Sequence, residues 1–324
     1  MNRNLSIDAL KAFAIFLVVL GHFLQSTILD FDNNHLFRFI YSFHMPLFIF
    51  ISGYLSYRNE GIQSDFLKRR FLSLLIPFFS WMVVSSILNS FENNENIFSF
   101  MLRVLLFPDN GLWYLWVLFW MQSVLFLCNY LSSKYTEFFL GVFCLLILLI
   151  TYVFKIDNIF AIKTFASLFS YFILGYIASN YKNRSNVIFK GWYFVLPFFL
   201  LLAYFWQRND MLSFGSYVVS SKIFLFGYKN ITGILGIIVS MGLFLKIKKF
   251  SDFILYLGKN SIAVYAMNFY CLFVLRSLLQ SINENYWYYL YAFLFSVVII
   301  CICLFFGNIL KKNKMTSLLF LGNH

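Results

Sequence analysis

Long apolar stretches recur along almost the whole chain of 324 residues. Each is about as long as a helix that crosses the roughly 30 Å hydrocarbon core of a bilayer. Hydrophobic residues make up 61% of the chain and charged residues only 12%, whereas soluble domains average about 25% charged residues. The pattern predicts an all-α, polytopic integral membrane protein with about ten transmembrane helices, near 7–28, 36–57, 71–89, 112–131, 138–154, 160–179, 191–206, 229–246, 254–280 and 287–310.

Nothing in the sequence divides this membrane region. It has only four prolines, and it contains no low-complexity run, internal repeat or long polar stretch that would mark a linker or an appended soluble domain. We therefore expect a single transmembrane domain over residues 1–324. The five cysteines lie in apolar stretches without metal-ligand spacing, so we interpret them as buried apolar residues and predict no metal site.

The distribution of charge predicts the orientation of the helices. If the amino terminus is cytoplasmic, about two thirds of the Lys and Arg residues fall in cytoplasmic segments, as the positive-inside rule requires. Both termini are then cytoplasmic. This bias, together with contact to anionic membrane lipid, explains the net charge of +12, so no nucleic-acid partner is predicted.

Two histidines and a lysine lie inside the first two apolar stretches. Lys11 and His22 belong to the first stretch and His44 to the second. A titratable side chain at membrane depth is costly unless it is solvated or paired, so each of the three is a candidate functional residue. Eleven residues of α-helix make three turns, which places Lys11 and His22 on one face, about 16 Å apart along the axis. We expect His44 at a depth similar to that of His22, because the second helix returns after a short hairpin.

Recognisable motifs surround both histidines. The first stretch reads SIDALKAFAIFLVVLGH and ends at His22, with Asp8 three positions before Lys11, and the second reads FHMPLFIFISGYL around His44. A basic residue, ten spacers and a histidine, followed by the second motif, resemble the signature of the membrane-bound acyltransferases of the acyltransferase-3 type. Members of this family modify surface sugars, lipid A precursors, peptidoglycan and other acceptors.

The resemblance continues to about residue 270 through four shorter motifs. These are Lys68-Arg69-Arg70 ahead of Leu74-Leu75-Ile76-Pro77, then Leu112-Trp113-Tyr114-Leu115, then Phe172-Ile173-Leu174-Gly175-Tyr176, and then Gly258-Lys259-Asn260-Ser261 with Tyr265. The chain departs from the family pattern at two positions. Asn268 stands where the family often carries a histidine, and Ser73 stands where it often carries an arginine. These departures indicate a subgroup with a different acceptor.

The resemblance implies an enzyme, a multi-pass O-acyltransferase of the bacterial inner membrane. It is expected to transfer acetyl from cytoplasmic acetyl-CoA to a sugar hydroxyl of a surface polysaccharide or its lipid-linked precursor. His22 is the expected base or acyl carrier, and His44 and Asp8 are further catalytic candidates. Positively charged side chains are expected to bind the phosphates of CoA, namely Lys11, Lys68, Arg69 and Arg70. The candidates for binding the acceptor are Ser52, Trp113, Tyr114, Tyr265 and Asn268. The oligomeric state is left open.

Several of these residues also have a purely structural interpretation. Lys11 could snorkel to the cytoplasmic headgroups, either histidine could join two helices through a hydrogen bond, and Ser52-Gly53 could allow close helix packing. For the whole chain, one alternative is a transporter or flippase of a lipid-linked sugar or small solute. Another is a protein that passes an acyl group across the membrane to a separate transferase. Transporters more often show two similar halves, and no such repeat is found in the sequence.

Overall fold

A computed structural model describes residues 5–58, 62–63, 65–208, 212–214, 217–219, 221–279 and 287–323. The described chain is helical apart from one small antiparallel hairpin, in which β1 (Leu212–Phe214) pairs with β2 (Tyr217–Val219). The helices are α1 (Leu5–Thr27), α2 (His35–Tyr41), α3 (His44–Ser56), α4 (Phe66–Arg70), α5 (Ile76–Asn93), α6 (Ile97–Leu106), α7 (Trp113–Leu131), α8 (Thr136–Val153), α9 (Ile162–Asn180), α10 (Lys182–Lys190), α11 (Trp192–Phe205), α12 (Lys222–Lys246), α13 (Asp252–Lys259), α14 (Ser261–Leu279), α15 (Tyr288–Lys311) and α16 (Lys314–Leu321).

Eight helical segments among the described residues are long and apolar enough to cross a membrane, namely Leu5–Thr27, His35–Ser56, Phe66–Asn93, Trp113–Leu131, Thr136–Val153, Ile159–Asn180, Lys222–Lys246 and Tyr288–Lys311. Helices α10 and α11 meet at 66° and add a ninth if the bent pair is one span. The prediction of an all-α polytopic membrane protein is confirmed. The count of ten and the cytoplasmic termini stay predictions. Gln280, the last residue of the predicted ninth span, and residues 1–4 and 324 lie outside the described residues.

The chain groups into two compact units. The first unit comprises Met1–Ile51 and Tyr181–Gly307, and the second comprises Ser52–Asn180 and Asn308–His324. Two of the three unit boundaries fall inside α3 and α15, and the third lies between α9 and α10. The prediction of one membrane domain over residues 1–324 stays a prediction.

Helix α1 lies at the centre of the first unit, where it packs against α12, α13 and α14. Most of its apolar side chains are buried, as expected for a helix that has several helices packed around it. Gly258 of α13 lies directly on the start of α1, since a Cβ at this position would come within 1.9 Å of the Asp8 carbonyl oxygen. Only glycine permits this approach, which explains why the motif around residue 258 begins with that residue.

The second unit contains an irregular helix at the basic motif. A π-helical turn, Phe71–Leu75, separates α4 from α5 just before Pro77. Proline has no backbone N–H, so a regular helix would leave the carbonyl four residues earlier, that of Ser73, without its usual donor. Gly322, with a φ of +67°, lies against this residue, and a Cβ there would come within 2.3 Å of the Ser73 oxygen. Position 73, where the chain departs from the family pattern, is therefore covered by the segment that follows α16.

Candidate active site

His22 lies near the carboxyl end of α1, and its side chain is only partly buried. Its ring meets the ring of Phe269 on α14 edge-on, with the centroids 6.2 Å apart. Neither ring nitrogen has a hydrogen-bond partner among the described residues. An imidazole at membrane depth that is not used to join helices remains free to contact a substrate.

His44 is the first residue of α3 and is buried. Its Nδ1 lies 2.8 Å from the backbone oxygen of Ile40. A carbonyl oxygen can only accept, so Nδ1 carries the hydrogen, and in the neutral ring Nε2 is unprotonated. The hydrogen bond thus sets the tautomer that leaves Nε2 able to act as a base.

The structure brings the two histidines into one region of the first unit. His44 and His22 are close enough for an electrostatic interaction. Helices α1 and α2 touch beside His22, where a Cβ on Gly21 would come within 2.9 Å of the Tyr41 ring. The two imidazoles thus lie in the same part of the first unit, and their joint role in one site stays a prediction.

Two further polar side chains of this region were not predicted from the sequence. The Tyr41 hydroxyl donates to Gln25 Oε1 at 3.0 Å, and the Tyr41 ring lies 4.7 Å from that of His44. Gln25 follows His22 by one helical turn, and Tyr41 precedes His44 by three residues. This local spacing is the signal that could have identified both.

Lys11 and Asp8 form an ion pair of 2.9 Å at the opposite end of α1. Fourteen residues separate Asp8 from His22, which is about 21 Å along a helix, so the carboxylate cannot touch the imidazole. Asp8 acts on the ammonium of Lys11 instead. An ammonium has three donors, and no other partner of Lys11 is found in the described part of the chain, so it can bind an anion as well.

The basic motif lies in the second unit, at α4. Arg69 Nη2 contacts Asp65 Oδ1 and Gln63 Oε1, both at 2.9 Å, so part of its donor capacity is used. Lys68 is exposed, and no polar contact of its side chain is found within the described ranges. The two residues therefore differ in how freely they can bind an added anion.

Arg70 is the most enclosed residue of this motif. Its guanidinium lies 4.9 Å from the centroid of the Phe66 ring. It is also within electrostatic range of Arg58 and Arg69. Both neighbours are positively charged, and Asp65 offsets only the charge of Arg69, so the surroundings of Arg70 favour an anion. Arg58, a residue outside the predicted motif, thus belongs to the same positive cluster.

Ser52 and Tyr114, both expected to bind the acceptor, contact each other in the second unit. Ser52 Oγ and the Tyr114 hydroxyl are 2.8 Å apart, and Tyr114 is buried. A Cβ on the neighbouring Gly53 would come within 2.0 Å of the Phe172 oxygen of α9. The Ser52-Gly53 motif therefore allows the close helix packing that was one of its two interpretations.

Trp113 begins α7 and is partly buried, with its ring 6.4 Å from that of Tyr114. The turn before it contains Asp109, where burial raises the pKa of the carboxyl above its ordinary value. Hydrogen bonds from Thr164 and Asn158 act in the opposite direction. These bonds tie the turn before α7 to the start of α9.

Tyr265 and Asn268 lie on α14, in the first unit. Asn268 is buried, and its Nδ2 donates to the backbone oxygens of Val264 at 3.0 Å and Tyr265 at 2.7 Å. Its Oδ1 is buried and accepts no hydrogen bond within the described residues. Asn268 thus keeps a free acceptor at the position where the family often has a histidine.

A comparison with known families identifies the chain. A family model described as an acyltransferase domain, of the acyltransferase-3 type, matches residues 4–306. This chain belongs to the acyltransferase-3 family. With its long apolar helices, it is a multi-pass membrane protein of this family.

Two curated relatives are similar to part of this chain. Nodulation protein NolL of Sinorhizobium fredii (strain NBRC 101917 / NGR234) is 44% identical over 87 residues, which is 25% of this chain and 24% of that protein. Nodulation protein NolL of Mesorhizobium japonicum (strain LMG 29417 / CECT 9101 / MAFF 303099) is 41% identical over 87 residues, which is 25% of this chain and 23% of that protein. The chain thus matches about a quarter of the length of these relatives. No solved structure matches it.

The candidate residues are divided between the two compact units of the chain. The first unit holds Asp8, Lys11, His22, His44, Tyr265 and Asn268, and the second holds Ser52, Lys68, Arg69, Arg70, Trp113 and Tyr114. Within the described ranges, no group of three or more His, Cys, Asp or Glu side chains could hold a metal ion. The roles assigned to these residues stay predictions.

Proposed function

We propose that this acyltransferase moves an acetyl group from acetyl-CoA to a sugar hydroxyl of a surface polysaccharide or its lipid-linked precursor, in the bacterial inner membrane. The observation that carries the proposal is the presence, in one region of the first unit, of two imidazoles in different environments. His22 has no hydrogen-bond partner among the described residues, while His44, close to it, is held by Ile40 in the tautomer with a free Nε2.

This pair suits acyl transfer to an alcohol. In the direct route, an imidazole nitrogen takes the proton of the acceptor hydroxyl while the oxygen attacks the thioester carbon. The carbon–sulfur bond then breaks, and the CoA thiolate leaves with a proton returned by the imidazolium. In the relay route, the unprotonated nitrogen of His22 attacks the thioester carbon and the carbon–sulfur bond breaks. CoA leaves as the thiol with the proton of the other ring nitrogen, and His22 carries the acetyl group as an acetyl-imidazole. The acceptor oxygen then attacks this group while His44 Nε2 removes its proton.

The charged end of α1 supports acetyl-CoA as the donor. Lys11 lies eleven residues before His22, about 16 Å away along the helix, which suits an extended pantetheine arm with phosphates at one end and the thioester at the other. Asp8 holds the Lys11 ammonium at 2.9 Å and so orients it. The cluster of Arg58, Arg69 and Arg70 is a second candidate for phosphate binding, because guanidinium groups bind phosphate in a bidentate manner.

The test uses the full chain purified in lipid nanodiscs. It is supplied with CoA carrying a labelled acetyl group and with total surface glycan extracted from producing cells that lack the gene. We expect labelled acetyl in the glycan as an alkali-labile ester, and one CoA thiol released per acetyl group transferred. Wild-type protein that consumes no acetyl-CoA and labels no glycan would contradict the proposed function and favour the transport alternatives.

The same assay tests the role of His22 as base or acyl carrier. We expect His22→Ala to lower turnover at least about 100-fold, the usual contribution of a general base. The matched control is His35→Ala, which removes an exposed histidine that stacks on Tyr204 at 4.8 Å and should leave turnover unchanged. Unchanged acetylation by a folded His22→Ala protein would exclude His22 as base or carrier.

A further inference from the structure

A second polar group lies beside the two histidines in the first unit. It consists of Gln25, Asp32, Tyr41 and Arg208, and is called the Asp32 cluster here. Besides the bond from Tyr41 to Gln25, Arg208 Nη2 donates to Asp32 Oδ2 at 2.9 Å. Tyr41 is within electrostatic range of both Asp32 and Arg208. The four side chains, from α1, α2 and two connecting segments, therefore form one group.

One oxygen of the cluster lacks a donor. Asp32 Oδ1 is buried and accepts no hydrogen bond within the part of the chain that the structure describes. Nearby donors are used elsewhere, since Asn33 Nδ2 bonds to Asp30 Oδ2 at 2.7 Å and Arg38 Nε bonds to the Asp32 backbone oxygen at 2.6 Å. Buried polar atoms are nearly always paired, so this carboxylate oxygen is suited to accept a hydrogen bond from a bound molecule.

Arg208 offers free donors next to this free acceptor. A guanidinium carries five N–H groups, and the bond to Asp32 is its only side-chain hydrogen bond among the described residues. The Arg208 side chain is 41% exposed, and its Cζ lies 5.0 Å from the centroid of the Phe31 ring. The ring contact holds the side chain in place while leaving some of its donors accessible.

A free acceptor and free donors held side by side match a molecule with neighbouring hydroxyl groups. Each hydroxyl both donates and accepts a hydrogen bond, so one can donate to Asp32 Oδ1 while the next accepts from Arg208. The free atom of Asp32 is a carboxylate oxygen, which accepts a hydrogen bond from a hydroxyl but repels a phosphate, so a polyhydroxyl compound is favoured. Sugars are the compounds of this kind that a surface-modifying acyltransferase would meet.

The cluster is also placed to present a further hydroxyl to the histidines. Gln25 lies three residues after His22, about 4.5 Å along the helix, and the Tyr41 ring contacts that of His44 at 4.7 Å. We infer that the Asp32 cluster binds the acceptor sugar through vicinal hydroxyls and so determines which acceptor is used. This inference rests on the proposed function, and it adds residues that the sequence motifs do not contain.

The experiment compares the two substrates kinetically. Full-chain protein in nanodiscs is assayed with surface glycan from gene-deleted cells as the probe, varied against fixed acetyl-CoA, and then with the two exchanged. For Asp32→Asn and Arg208→Gln, we expect the apparent KM for the glycan to rise at least about tenfold, as for loss of a hydrogen bond to a charged group. The apparent KM for acetyl-CoA should stay unchanged, and Arg208→Lys should restore part of the affinity.

A matched ion pair supplies the control. Glu95 and Arg103 contact each other at 2.7 Å with side-chain exposures of 27% and 48%, close to the 28% and 41% of Asp32 and Arg208. Glu95→Gln should leave both KM values unchanged. An unchanged glycan KM in Asp32→Asn, or equal losses toward both substrates with a lower melting temperature, would overturn the inference and make the pair structural. Failure of the wild-type protein to acetylate the glycan would instead overturn the proposed function.

Discussion

Gly258 of α13 lies so close to Asp8 of α1 that a Cβ at position 258 would come within 1.9 Å of the Asp8 carbonyl oxygen. Asp8 in turn holds the Lys11 ammonium at 2.9 Å. Helix α13 therefore fixes the turn of α1 that orients the proposed phosphate ligand. Gly258, which has only a hydrogen as its side chain, therefore influences the proposed binding of the acyl donor through the position of Lys11.

Gly258→Ala should separate these helices. We expect the overpacking to cost about 1–3 kcal/mol of stability and to raise the apparent KM for acetyl-CoA, because Lys11 moves with Asp8. Thermal unfolding in nanodiscs and donor kinetics measure the two effects. The control is Gly227→Ala in α12, where nothing lies within 4 Å of the added Cβ and alanine is the better helix former. Equal stability of the two variants would show that the close approach is absent.

The hydrogen bond from His44 to Ile40 allows its structural and chemical roles to be separated. Asparagine at position 44 can keep a donor near the position of Nδ1 but has no counterpart of Nε2. We expect His44→Asn to fold with near-normal thermal stability and to lose turnover by about 10²-fold or more, the contribution of a general base. A folded His44→Asn protein with wild-type turnover would show that Nε2 takes no proton in the reaction.

Lys11 should affect the donor and not the acceptor. Removal of a cation that binds phosphate weakens binding without changing the reacting atoms, so Lys11→Met should raise the apparent KM for acetyl-CoA roughly tenfold with little change in kcat. Lys11→Arg keeps the charge, so its apparent KM for acetyl-CoA should lie between those of the wild-type protein and Lys11→Met. The opposite pattern, with a changed KM for the glycan alone, would remove Lys11 from the donor site.

Two cysteines provide a direct test of the packing in the first unit. Cys271 Sγ on α14 and Cys303 Sγ on α15 are 3.6 Å apart, so a small movement allows a disulfide. Copper phenanthroline, which accepts the two electrons as the thiols lose two protons, should join the helices. Mass spectrometry after cleavage should detect one linked peptide pair in wild type and in Cys301→Ser. The link should be lost in Cys303→Ser, and its absence in wild type would contradict the packing of α14 on α15.

The sequence predicted those parts of the site that depend on local geometry. Lys11 and His22 share one helix, and His44 follows after a short hairpin, so helical periodicity and the hairpin length were sufficient to bring the two histidines together. The apolar stretches likewise predicted the long helices, because each backbone segment in a membrane must satisfy its own hydrogen bonds.

Contacts between distant segments could not be predicted in this way. Asp32 and Arg208 are 176 residues apart, and neither belongs to any of the sequence motifs. The closeness of Gly258 to Asp8 and the cover of Ser73 by Gly322 also depend on tertiary packing, for which one sequence offers no periodic signal. Asp8 was predicted as a catalytic residue from its position in the motif, and only the ion pair with Lys11 indicates how it would act.

The bond between His44 and Ile40 connects the imidazole of α3 to the last turn of α2. The orientation of this ring is therefore coupled to the angle between the two helices. Helix tilt responds to the thickness of the surrounding lipid. We therefore expect the reaction rate to depend on bilayer composition. Nanodiscs with shorter or longer acyl chains should change turnover while substrate affinity stays constant.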